Sequence, residues 1–224
     1  MFLGMAGLGA VGILTGAKVQ SALGRVLQPV TSASGGLSAL IPGSDTFRIY
    51  TVTDGFPSVT DDAYRLKVGG MVNQSLDLTL ADLKAMPRTT LVRDFQCVTG
   101  WRVPNVRWEG VLLSHLLEAA GVAPGASALV FDSFDGVYTE SLTLSQARRP
   151  DVMVAYGFEG GPVSTAHGGP VRLYVAPMYG YKSAKWLGAI NLVGGVEPGY
   201  WEQQGYDVDA WIGASNGRHD APVS

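Results

Sequence analysis

The chain has 224 residues, of which 46% are apolar and 16% charged, a length and composition suited to one domain with a substantial core. Its formal net charge of −3, with no run of Lys and Arg, excludes a general attraction to phosphate backbones, so nucleic acid is not an expected partner. The single cysteine, Cys97, excludes an internal disulfide, and with His115, His167 and His219 it forms no cluster at zinc spacing.

Residues 1–17 carry no charge and five glycines, and the first charge is Lys18. That run is short for a membrane span, which needs about 20 strongly apolar residues. It reads as the apolar part of an export signal, with Phe2-Leu3 resembling the residues that follow the arginine pair of a twin-arginine signal. A retained N-terminal anchor is the alternative. The expected organisation is an export-signal or anchor remnant over 1–20, a Ser, Gly and Pro-rich linker over 21–46, and a folded domain over 47–224. The expected location is exported, either periplasmic or on the outer face of the cytoplasmic membrane.

In chain order, residues 47–53 and 64–69 read as strands, the second with Tyr64, Leu66 and Val68 on one face and Arg65 and Lys67 on the other. Thr79 and Asp82 make a capping box for a short helix ended by Pro87. Residues 89–97 are rich in strand formers, which puts Cys97 at a strand end. Leu112, Leu113, Leu116, Leu117 and Ala120 recur at helical spacing, and Gly121 follows as the cap. Residues 128–133 and 137–142 flank an Asp135-Gly136 turn and predict a hairpin. Further strands are predicted over 152–156, 171–175 and 189–193. Strands dominate without regular strand-helix alternation, so the fold class is α+β with mixed sheets and short helices.

Two segments carry chemistry. In Asp94-Phe95-Gln96-Cys97-Val98-Thr99-Gly100-Trp101 the thiol lies between a strand and a loop, and a thiolate is a soft donor for a transition metal. Taken alone, a single Cys also reads as a small buried apolar residue. In His167-Gly168-Gly169-Pro170-Val171-Arg172 and Tyr179-Gly180-Tyr181-Lys182-Ser183-Ala184-Lys185-Trp186, glycines permit close backbone approach while Arg172, Lys182 and Lys185 offer donors to an anionic group. A solvated basic hairpin is the competing reading of that spacing. Neither a Walker loop nor a GxGxxG turn is present.

The Cys-x-x-x-Trp segment, the Trp-x-Gly-x-x-Leu helix entry beginning at Trp108, the His-Gly-x-Pro-Val-Arg strand and the Tyr-Gly-x-Lys-Ser-x-Lys-Trp loop resemble, in order and separation, the sulfite-oxidase fold family of molybdopterin-dependent oxidoreductases. The resemblance runs over about 47–193 and is greatest to the small bacterial periplasmic branch that includes the methionine-sulfoxide reductase catalytic subunit. It implies a Mo-molybdopterin cofactor with Cys97 as the metal ligand and Val98 beside it. It further implies that His167, Arg172, Ser133, Arg48 and Tyr50 meet the cofactor, and that Ser183, Ala184 and Lys185 hold its phosphate. Trp101 and Arg102, with Tyr179 and Tyr181, are expected to shape a catalytic pocket. The implied reaction is oxygen-atom transfer on a sulfur-containing or other small oxo substrate, or on an oxidised side chain. Electrons then pass through a separate partner such as a membrane haem protein, since the chain has no haem ligand pair and no cysteines for an iron-sulfur cluster. Where animal and plant sulfite oxidases have an arginine-rich stretch after the cysteine, this chain has Gly100-Trp101-Arg102-Val103, which Arg102 only partly replaces. Two rival readings are a nucleophilic Cys97 with His167 as base and Asp132 as orienter, and an exported binding module in which Cys97 is inert.

Overall fold

Side-chain alternation builds the first strand: β1 (Arg65–Gly70) buries Leu66 and Val68, continuing from buried Tyr64, and exposes Arg65 and Lys67. The structure, a computed structural model, describes residues 47–221; the expected signal, anchor or linker over 1–46 lies outside the described residues. After β1 come β2 (Leu76–Thr79) and helix α1 (Leu80–Ala85), which starts at the expected capping box. There the Thr79 side chain accepts from the Asp82 N–H and the Asp82 carboxylate from the Thr79 N–H.

Five strands make the first sheet, in the order β2-β1-β10-β5-β6. Its last three are β10 (Leu187–Val193), β5 (Ala128–Ser133) and β6 (Thr139–Thr143). β1 runs parallel to β10 and the other pairs are antiparallel, so the sheet is mixed as expected. The β5–β6 hairpin closes through Asp135, whose Oδ1 accepts from the N–H groups of Val137 and Tyr138. The second sheet, β3-β4-β7-β8 with β9 also on β7, is antiparallel throughout. It comprises β3 (Arg88–Gln96), β4 (Arg102–Leu112), β7 (Val152–Phe158), β8 (Gly161–Pro162) and β9 (Arg172–Val175).

Helix α2 (Leu113–Ala120) buries Leu113, Leu116, Leu117 and Ala120 against the principal core, and Gly121 caps it at φ 65°. Leu112 ends β4 instead of joining the helix. Each such fully buried leucine contributes about 1.5–3 kcal/mol relative to exposure. A last short helix, α3 (Leu144–Ala147), carries a second capping box from Thr143 and Gln146. A second core cluster, which includes Phe95, Trp101, Trp108 and Tyr174, forms around the second sheet, and Cys97 packs against it.

The strand expected over residues 47–53 does not form. The hydroxyls of Thr51 and Thr53 bond to each other and to the Gly55 carbonyl, and the Thr53 N–H donates to Thr51 Oγ1. Local side-chain bonds of this kind compete with a ladder for backbone groups. The Phe47 ring leaves the segment to pack on Phe95, Trp101, Phe158 and His167.

Candidate active site

Cys97 follows the last residue of β3, and an irregularity just upstream aims it. The β3–β4 register shifts between Arg93 and Phe95, leaving Asp94 at the bulge. The buried Asp94 carboxylate accepts from the Asn105 N–H at 2.9 Å and pairs with Arg102, while the Tyr174 hydroxyl bonds to the Asp94 carbonyl. The chain then turns tightly: the Cys97 N–H donates to the Trp101 carbonyl at 2.9 Å and the Gly100 N–H to the Cys97 carbonyl at 3.0 Å. Both backbone groups of Cys97 are thus satisfied, and its half-buried thiol is the group left for chemistry. The Thr99 hydroxyl donates to Sγ at 3.2 Å. Among the described residues no three His, Cys, Asp or Glu side chains converge to hold a metal ion, so Cys97 would be the lone protein donor to one.

The second element is the glycine-rich turn and the loop after β9. Gly168 has φ 97°, and a Cβ built on it would come 2.6 Å from the Cβ of Lys185, so glycine alone lets the two segments touch. The Trp186 N–H donates to the Gly168 carbonyl at 2.9 Å. A Cβ on Gly180 would lie 2.5 Å from Phe95 Cζ and 3.5 Å from the Gln96 carbonyl oxygen, which sets this loop directly against the Cys97 turn. His167 stacks on Phe158 at 4.5 Å with the Phe47 ring edge-on at 4.9 Å. Burial, and then the charges of Arg172 and Lys185, hold the His167 pKa below its usual value, so it is a neutral imidazole at pH 7.

Lys185 is half-buried, donates to the Tyr50 carbonyl and lies 4.3 Å from the centroid of the Trp186 ring. Burial, assisted by Arg172, pushes its ammonium down to about 8. Arg172 is buried, with Nη1 on the His167 carbonyl at 2.6 Å and Nη2 on the Ser183 carbonyl at 2.7 Å. It therefore ties the two cradle segments together from behind instead of presenting its guanidinium at the surface. Burial pushes it down to about 10, which leaves it charged.

The structure departs from the sequence reading at several residues. Lys182 is no donor to an anionic tail: it is fully buried between Glu140 and Glu202. Tyr179 and Tyr181 do not line a pocket, since their hydroxyls anchor the C-terminal segment at the Asp220 carboxylate and the Asp207 carbonyl. Ser183 and Ala184 turn their side chains inward, with Ser183 Oγ accepting from the Val175 N–H, so only backbone groups remain there to meet a ligand. Ser133 is buried at the end of β5, where its Oγ accepts from the Asp135 N–H and its register partner is Leu187. Val98 is buried in the principal core. Arg48 and Tyr50 are exposed, and Tyr50 reaches the site through its carbonyl. Asp132 bonds to Asn191 in the first sheet, and among the described residues no hydrogen bond joins Cys97 to His167, so the nucleophile constellation is not assembled.

One residue escaped the sequence reading. Tyr206, after β10, is half-buried, and burial followed by the charge of nearby Cys97 pushes its hydroxyl up. The aromatic run Tyr200, Trp201 and Tyr206 was the available signal.

Two buried polar atoms on residues that flank or close the Cys97 turn, Gln96 Oε1 and Trp101 Nε1, have no partner within the protein. Unpaired buried polar atoms are uncommon and call for a ligand or water. With a soft sulfur donor, a neutral imidazole, a cation and close-approach glycines, the donor set fits a metal held by an anionic organic cofactor. These features define a cofactor-binding domain on an α+β scaffold.

Residues 53–201 match the family described as oxidoreductase molybdopterin binding domain, and the chain belongs to that family, whose cofactor class is Mo-molybdopterin. The oxidoreductase YuiH of Bacillus subtilis is 36% identical over 151 residues, covering 66% of this chain and 75% of that protein. YedZ1 of Azospira oryzae, named for a protein-methionine-sulfoxide reductase subunit, is 30% identical over 75% of this chain and 63% of its own. Sulfite oxidase of Arabidopsis thaliana is 29% identical over 65% of this chain and 46% of its own. The crystal structure of sulfane dehydrogenase SoxCD from Paracoccus pantotrophus superposes with a TM-score of 0.58 at 26% identity, covering 63% of this chain and 41% of that one. The fold is thus of the sulfite-oxidase type, and the chain spans less than half of the plant enzyme and of the SoxCD chain.

Proposed function

We propose that this domain catalyses oxygen-atom transfer on a small sulfur-containing or other oxo substrate, or on an oxidised side chain, with Cys97 as the protein ligand of molybdenum. The observation that carries the reading is the Cys97 turn, with its backbone satisfied, its thiol half-buried, and an unpartnered buried polar atom on each of Gln96 and Trp101, the residues before and at the close of the turn. Family membership and the oxidoreductase names of the relatives support it.

When bound, the cofactor supplies the two-electron oxygen transfer; the protein supplies position, charge and access. The Cys97 thiolate binds the metal, and the Thr99 hydroxyl, which donates to Sγ, stabilises its negative charge. His167, a neutral ring packed between Phe47 and Phe158, would meet the pterin, and Ser133, Arg48 and Tyr50 would be further contacts to it. Lys185 and the backbone at Ser183 and Ala184 receive the phosphate, and Arg172 fixes the carbonyls of His167 and Ser183 so that both stay in place. Trp101, whose carbonyl accepts from the Cys97 N–H, closes the turn that carries the thiol. Electrons leave or enter through a separate protein, for which a membrane haem protein is the leading candidate, and an exported location fits that arrangement.

The test is a two-direction assay on protein from a host that makes the pterin: sulfite with ferricyanide, and dimethyl sulfoxide or methionine sulfoxide with reduced viologen. Turnover in one direction that vanishes in folded Cys97→Ser agrees with the reading. Undiminished turnover in Cys97→Ser, or in protein from a molybdenum-starved host, contradicts it.

A further inference from the structure

We propose that Trp186 is the positioning residue for Lys185: its indole face, with the Phe56 ring as a second wall, forms an aromatic cage that aims the ammonium at the cofactor phosphate. The inference rests on the reading of Lys185 as the phosphate's cation and adds to it the device that holds a half-buried ammonium in place.

Lys185 and Trp186 are neighbours in sequence, and in an extended chain successive side chains point to opposite faces. Here the two meet, with Lys185 Nζ 4.3 Å from the centroid of the Trp186 ring. The backbone departs from extension at this point. Trp186 has φ 52°, a left-handed conformation that is an outlier for a bulky residue. Two bonds hold it there: its backbone N–H donates to the Gly168 carbonyl at 2.9 Å and its Nε1 to the Thr165 carbonyl at 2.8 Å. Strained residues persist only where the surroundings over-determine them, and they concentrate at ligand sites.

The second wall comes from the segment before β1. The Phe56 ring tilts against the Trp186 ring at 5.9 Å between centroids, and Lys185 Nζ lies 5.9 Å from the Phe56 centroid. Phe56 leaves 47% of its surface exposed, so burial alone is a weak reason for its placement. The rest of Lys185 is fixed as well. Its Cβ lies 2.6 Å from where a Cβ on Gly168 would sit, and one ammonium proton goes to the Tyr50 carbonyl. An ammonium has three donors, so the stem, one donor and two ring faces are set while donors remain for a ligand.

The electrostatics explain why rings do this work. Burial opposes the charged form of Lys185, Arg172 from β9 opposes it further, and Asp135 from the β5–β6 hairpin acts the other way. An aromatic face carries negative potential and attracts a cation, more strongly where water is excluded. The cage therefore restores part of what burial removes without adding net charge. A carboxylate in the same place would repel the phosphate that the lysine is there to meet, and a ring does not.

The test compares Trp186→Phe, which keeps a ring face and loses the indole N–H, with Trp186→Leu, which loses both, and adds Phe56→Leu and Lys185→Met. Two quantities are read on each full chain. One is the rate at which bound pterin is lost on dialysis, followed by the fluorescence of its oxidised form. The other, on pterin-free chain, is the pH midpoint of Lys185 labelling by reductive methylation, located by mass spectrometry. Trp186→Leu is expected to lose pterin about 5–30-fold faster than Trp186→Phe, with a lower labelling midpoint. Phe56→Leu moves both readings in the same direction and by less, since its ring is the farther one. A purely structural tryptophan would lower the melting temperature of the Phe and Leu variants alike and leave the labelling midpoint at the parent's value. If Trp186→Leu does not fold, Phe56→Leu against the parent decides by the same two readings. Equal pterin loss and equal midpoints in the ring-bearing and ring-free variants overturn the proposal. A Lys185→Met chain that keeps its pterin sinks the phosphate assignment, while labelling still decides the cage; pterin loss in Lys185→Met with no effect of either ring sinks the cage alone.

Discussion

Lys182 Nζ lies 2.6 Å from Glu140 Oε2 with both side chains wholly excluded from water, and Glu202 closes on the same ammonium from the opposite segment. This cluster joins β6, the loop before Lys185 and the chain after β10. Removing one member of such a cluster leaves buried charge without compensation. Lys182→Met is expected to cost about 3–5 kcal/mol in chemical denaturation at pH 7. A loss within experimental error would show that the cluster is not charged in the folded protein.

The same cluster sets a pH dependence. Burial pushes the Glu140 carboxyl up to about 8, against the pull of Lys182 and with a further push from Glu202. Between its ordinary value near 4.5 and about 8 the folded chain therefore holds a proton that the unfolded chain releases. Stability falls as pH rises through that window. Glu140→Gln should flatten the slope relative to the parent chain, and parallel slopes in the two proteins would contradict the assignment.

Gly168 supplies a steric prediction. With φ 97° and Lys185 Cβ only 2.6 Å from where a methyl group would sit, Gly168→Ala must either strain the turn or push Lys185 away. About 1–3 kcal/mol of stability should be lost, together with pterin retained after gel filtration. Full retention would separate this turn from the cofactor site.

Lys185 carries a prediction of opposite sense. Its ammonium, pushed down to about 8 by burial and Arg172, is lost as pH rises through that value, and with it the attraction for phosphate. Pterin loss on dialysis should therefore accelerate between pH 7 and pH 9, and Lys185→Met should lose pterin at both. A loss rate that is flat with pH in the parent chain would move the phosphate elsewhere.

Much of the scaffold was legible because it follows local rules. Alternation at Tyr64, Leu66 and Val68, the Thr79–Asp82 box, the α2 leucines and the Asp135-Gly136 turn each depend on near neighbours, and each is found where expected apart from Leu112. Cys97 at a strand end was legible for the same reason. Residues 47–53 misled because apolar spacing cannot reveal that threonine hydroxyls will take the backbone groups a ladder needs. The fate of charges was hidden for a different reason. Whether Lys182 meets a ligand or two carboxylates depends on Glu140 and Glu202, which are 42 and 20 positions away, and spacing along the chain is silent about that choice. Tyr179 and Tyr181 were obscured in the same way, each defined by a long-range partner in the C-terminal segment.

The central claim is that Cys97 holds the molybdenum of a bound pterin, and molybdenum per chain tests it most directly. Protein should be made in a host that synthesises the cofactor, with Cys97→Ala in parallel and both checked for folding. The account predicts close to one atom per chain in the parent protein, and loss of the metal or a changed coordination signal in Cys97→Ala. A well-folded parent chain without molybdenum, or a Cys97→Ala protein with the same metal content and the same coordination spectrum, would contradict it.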